Sequence, residues 1–167
     1  MMQTFWDWLF FGIGGNPAGL RNVINKFIFV HITVALLCIL FINSDPFTFS
    51  SKALFPAAAI LISMSVAWTA RAATIFQDKS FRDDLFSDQR PSEDYVYGYQ
   101  LSLLIIIVMV VYVAVMAGGG VNIIIFSSKM DQAISGFFMY LLLSMALREC
   151  WGVVNFSNLL SLLQYRR

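Results

Sequence analysis

The sequence predicts an all-α integral membrane protein with four transmembrane helices in two hairpins, an N-terminal interfacial helix, and cytoplasmic extensions of the second and fourth helices. Three observations carry that prediction. Hydrophobic residues make up 59% of the 167, charged residues only 13%, and the mean hydropathy is +0.72, whereas soluble domains carry about a quarter charged residues. The apolar residues gather into four stretches close to the ~20 residues that a helix needs to cross the hydrocarbon core. Between the second and third lies the one long hydrophilic segment, Arg71 to Tyr99, which holds six of the ten acidic and four of the eleven basic residues. Little chain is left for an independent soluble domain, so residues 1–167 are expected to form one.

Taken in order, residues 1–20 read as an interfacial helix and a turn. Phe5, Trp6, Trp8, Leu9, Phe10 and Phe11 surround the single charge Asp7; the stretch is too short to span and suited to the headgroup layer. It has no basic region or small-residue cleavage site and does not read as a secretory signal. The glycines and Pro17 of GIGGNPAG then break the chain.

The first span is expected over about 23–42, with Asn43, Ser44, Asp45 and Pro46 as its stop. It contains His31, an ionisable residue inside a span and therefore a functional candidate, or else a neutral ring bonded to a neighbouring helix. The second span, about 53–70, carries Pro56 in its first turn, where the missing amide proton costs little. Ala59, Ser63 and Ala67 recur every four residues on one of its faces, a seam that lets another backbone approach closely, within the bundle or between protomers. Arg71 extends that face at the inner end, where it either lines an anion path, snorkels to the headgroups or pairs with Glu149.

The segment 71–99 is expected to prolong the second helix, because residues 72–86 contain no proline or glycine. Phe76, Phe81, Leu85 and Phe86 lie among its charges and need something to pack on, which makes them candidate docking residues. Tyr95, Tyr97 and Tyr99 read as an interfacial aromatic belt. The third span, about 101–117, has only Ser102 and Tyr112 as polar side chains and ends at three glycines. The fourth, about 133–151, carries Arg148 and Glu149 near its inner boundary, where they are candidate inner-gate charges. Beyond it, residues 153–165 keep a helical period, with Phe156, Leu159, Leu160 and Leu163 on one face. Residues 71–99 and 152–167 together form the expected cytoplasmic platform.

If the N-terminus, the central segment and the C-terminus share one side, that side holds nine Lys and Arg residues against Lys52 and Lys129 on the other. This bias places both termini and the platform in the cytoplasm of a plasma membrane, the bacterial inner membrane.

Chemistry is sparse. One histidine and two cysteines at different depths supply neither a metal site nor a disulfide. His31 has no acidic residue at its depth to complete a nucleophile triad, and GIGG lacks the Lys-Ser/Thr of a phosphate loop. A proton-coupled transporter usually carries a carboxylate within a span, and here every Asp and Glu lies outside a span or at its edge. No enzyme activity, cofactor or nucleic-acid partner is expected; the partners are the lipid bilayer, a second copy and a cytosolic protein. Two functions follow: a homo-oligomeric membrane subunit whose cytoplasmic platform docks and couples a cytosolic partner, or a homo-oligomeric channel or membrane-permeabilising pore. The layout of four spans, a nearly bare outside and a compact inner platform resembles the small membrane components of bacterial defence or toxin operons, including the membrane subunit of the Kiwa system. The resemblance covers the whole chain at the level of layout and implies an antiphage setting.

Overall fold

The structure, a computed structural model, describes residues 4–12, 19–42, 45–76, 92–120 and 128–165. Those residues are helical throughout apart from short turns, and no strand occurs among them.

Helix α1 (Phe5–Phe11) starts on a reciprocal cap: Thr4 Oγ1 accepts from the Asp7 amide, and Asp7 Oδ2 accepts from the Thr4 amide at 3.1 Å. The Thr4 bonds hold the Asp7 carboxyl below the ordinary carboxylate range. The helix ends at Gly12, whose φ of 78° is open to glycine at little cost. Trp8 and Leu9 are buried while Trp6, Phe10 and Phe11 are exposed, so both faces of α1 are apolar. Trp8 and Leu9 pack with Leu101, Ile105, Val23 and Met145. The Trp8 ring lies where a Cβ on Gly19 would sit, so only glycine allows the close approach.

The first predicted span is not one helix. Asn25 Oδ1 accepts from the Phe27 amide at 2.9 Å, a local side-chain bond of the kind that competes with helix. The chain therefore divides into α2 (Leu20–Val23) and α3 (Ile28–Phe41). With 14 residues, α3 is about 21 Å long, short of the ~30 Å of hydrocarbon.

The second helix begins earlier than its hydropathy predicts. Asp45 and Pro46 start a helix here instead of only stopping the one before: Asp45 Oδ2 accepts from the Thr48 amide at 3.0 Å and Pro46 occupies the first turn. Helix α4 (Pro46–Phe49) passes through a π-helical turn, Ser50–Leu54, into α5 (Phe55–Phe76). The one-residue widening of the π turn accompanies burial of Ser50, whose Oγ donates to the Val113 carbonyl at 2.8 Å. Helices α6 (Ser92–Ala117) and α7 (Ser128–Tyr165) complete the described chain. The tyrosines 95, 97 and 99 lie on α6, and α7 continues unbroken through the fourth predicted span and the amphipathic stretch after it.

Among the described residues three stretches are long and apolar enough to cross a membrane: Pro46–Ala70, Val96–Ala117 and Ser128–Asn155. A spanning helix satisfies every backbone polar group internally, as the hydrocarbon demands, and the chain is a membrane protein. Helix α7 is the centre of the bundle, contacting α3, α5 and α6. The core between them holds Ala35 from α3, Ala58 from α5, Ile106, Met109 and Val113 from α6, and Met139 and Ala146 from α7.

Candidate functional site

Polar side chains from three helices converge on the stretch of α7 between Ser144 and Cys150. His31 comes from the first turn of α3, which packs chiefly on α7. Its side chain is buried, and Nδ1 lies 2.8 Å from Ser144 Oγ. Nε2 is buried with no hydrogen-bond partner among the described residues. One turn further along α7, Arg148 bonds Glu149 twice, through Nε at 3.1 Å and Nη2 at 2.9 Å. Ser102 of α6 donates to the other Glu149 oxygen at 2.6 Å, a length typical of a hydroxyl on a carboxylate. The ring of Phe27 lies 5.7 Å from the Arg148 guanidinium carbon, within cation–π range. From α5, Ser65 Oγ approaches Cys150 Sγ at 3.5 Å.

The pair is only partly shielded, with side-chain exposures of 34% for Arg148 and 16% for Glu149. Glu149 thus spends its oxygens on an arginine and a serine inside the chain, and Arg148 has one edge open to its surroundings. His31 and the ion pair sit about 6 Å apart along the α7 axis, judged by the rise from Ser144 to Arg148.

Other sequence-predicted residues fall elsewhere. Ala59, Ser63 and Ala67 are exposed on α5, and Ser63 Oγ bonds back to the Ala59 carbonyl at 2.8 Å. The face of α5 turned into the bundle carries Ala58 and Ser65 instead. The seam is therefore directed outward. Arg71 and Phe76 lie on the described backbone of α5, but their side chains, like the whole of Phe81, Leu85 and Phe86, are outside the described residues. Among the described residues Glu149, offered as a partner for Arg71, is bonded by Arg148 and Ser102.

Sequence reasoning picked out His31, Arg148 and Glu149 but not Ser144 or Phe27, and it passed over Ser102 as an isolated polar residue. The available signal was the four-residue step from Ser144 to Arg148, which puts both on one face of α7. Among the described residues no three His, Cys, Asp or Glu side chains gather closely enough to hold a metal ion. What the arrangement offers is proton chemistry: a buried imidazole nitrogen without a partner among the described residues and, little more than a turn along α7 from the ring's Ser144 contact, a carboxylate held by an arginine and a serine. No protein-family model matches the chain, and neither the curated proteins nor the solved structures contain a match.

Proposed function

We propose that the protein is a homo-oligomeric membrane subunit with four spans, whose inner helical platform docks a cytosolic partner and couples it to the membrane. In this reading α3 is the first of four spans, short and assisted by the segment before it, and α1 lies in the interface with Trp6, Phe10 and Phe11 toward lipid. The observation that carries the proposal is the length of α7. Its 38 residues extend about 57 Å, and the stretch apolar enough for the membrane ends at Asn155. The last turns continue past the hydrocarbon as helix and give a partner a firm surface. The outward small-residue face of α5 supports assembly between protomers, and the excess of Lys and Arg supports a cytoplasmic platform. The layout's resemblance to small membrane components of defence or toxin operons supplies the bacterial setting. The pore reading has less support, because Arg148 and Glu149 neutralise each other inside the chain.

The test compares Ala59→Leu, Ser63→Leu and Ala67→Leu by native mass spectrometry and thermal melting in detergent. Loss of the oligomer with an unchanged melt is expected, since all three positions are exposed on α5; unchanged oligomer mass in all three sinks the seam. The triple change Phe81→Ser, Leu85→Ser, Phe86→Ser is expected to release a co-purifying partner while membrane insertion persists.

A further inference from the structure

We propose that His31 is a proton-binding site inside the bundle, and that Glu149 is the acceptor to which its second ring N–H turns when the proton is bound. The site stands whether or not the platform docks a partner. His31 is the only histidine in the chain, and it is placed on α3 against α7 by the Nδ1 contact with Ser144 at 2.8 Å. In a neutral imidazole one nitrogen donates and the other accepts. If Nδ1–H donates to Ser144 Oγ, the buried Nε2 presents a bare lone pair, which costs less than a buried N–H without an acceptor. That lone pair is a base needing no cavity for its ligand, because the ligand is a proton.

Binding converts Nε2 into a donor and puts a positive charge beside α7. The charged groups of α7 nearest Ser144 in its helix are Arg148, one turn along, and Glu149 next to it; a positive ring is opposed by the first and favoured by the second. Tyr140 is one turn from Ser144 on α7, and Cys38 is two turns from His31 on α3 itself; neither carries charge at neutral pH. Glu149 is at present bonded to Arg148 and to Ser102 of α6. A proton delivered by hydronium leaves water behind and forms the imidazolium. Nε2–H then takes a Glu149 oxygen in place of one Arg148 bond, and the arginine turns to its open side, where 34% of its side chain is already exposed. No redox step or group transfer is involved. Protonation of one residue on α3 would in this way exchange partners on α7, while Ser102 of α6 keeps its own Glu149 oxygen.

The experiment uses the full chain in phospholipid nanodiscs, labelled with nitrogen-15 in its single histidine ring and followed by NMR from about pH 5 to pH 8.5. The expected result is one transition in which the Nε2 resonance passes from unprotonated to protonated. In Glu149→Gln its midpoint falls by about one pH unit or more, as expected for loss of a nearby opposite charge, with helix content by circular dichroism unchanged. Ser102→Ala, which frees a Glu149 oxygen, raises the midpoint and serves where Glu149→Gln does not fold. An Nε2 resonance that keeps one protonation state across the range overturns the proposal. So does a midpoint that is the same in the wild type and in the folded variants.

Discussion

At the end of the bundle where α3 begins, polar side chains meet one another: His31 with Ser144, Ser102 with Glu149, and Glu149 with Arg148. At the end where α3 finishes, they meet backbone. Ser50 donates to the Val113 carbonyl and Tyr112 to the Ser135 carbonyl, while Phe47 lies against Gly120 and Pro46 against Gly136. The first end depends on the identity of side chains that can be titrated or exchanged. The second depends on close backbone approach, for which a missing Cβ matters more than any functional group. Helix association within lipid has little hydrophobic drive, so hydrogen bonds and close packing decide both ends, but they do so in different proportion.

The contrast can be broken most strongly at Glu149. Replacing it with alanine leaves Arg148 without its carboxylate and Ser102 with only the Gly98 carbonyl at 3.3 Å, and a loss of about 2–3 kcal/mol is expected in unfolding by SDS titration. The figure sits below the ~3–5 kcal/mol of fully buried pairs because solvent screens the open edge of Arg148. A loss under about 0.5 kcal/mol would mean that the pair is a surface contact and the two ends are alike.

Gly120→Ala probes the opposite end. Its φ is 76° and an added Cβ would meet the Phe47 ring at 2.5 Å, so about 1–2 kcal/mol of destabilisation is expected from left-handed strain and overpacking. Gly152→Ala on α7 has nothing within 4 Å of the new methyl and serves as the control. It should leave the melt unchanged or raise it slightly, as alanine does in a helix interior. Equal effects at the two glycines would remove the close-packing account.

The finest distinction lies between two serines. Ser50→Ala removes one bond to a carbonyl that α6 also engages, at a cost of about 0.5–1 kcal/mol. Ser102→Ala strips a donor from a partly buried carboxylate and is expected to cost more than Ser50→Ala, since bonds to charged groups are the stronger. Melting temperatures of the two variants, measured side by side, check the order; the reverse order would place the dominant polar contact at the α4 end.

Local signals were legible where the chain acts on its nearest neighbours. The unbroken helical period after Trp151 is predicted from a few residues; the Thr4–Asp7 cap is equally local but was not among the predicted features. Even there one sign was ambiguous: Asp45-Pro46 ends one element and begins the next, and hydropathy registers only the first. Asn25 was likewise lost inside an apolar run, although its side-chain bond to the Phe27 amide divides that run. On α5 the periodicity is degenerate, because small residues lie on two faces, Ala58 and Ser65 on one and Ala59, Ser63 and Ala67 on the other. Which face turns inward depends on what α6 and α7 present to it.

The sequence by itself determined that the chain is largely helical and apolar enough for a membrane, because backbone hydrogen bonds in hydrocarbon leave a segment little choice but helix; of the four spans it predicts, three are helices of spanning length in the structure. Tertiary structure alone decided that His31 faces Ser144 across 113 residues of sequence, that Ser102 holds Glu149, and that Arg148 pairs with its neighbour. Those partnerships depend on the rotation of each helix about its axis. Rotation is set by how all the helices fit together, which no single helix encodes.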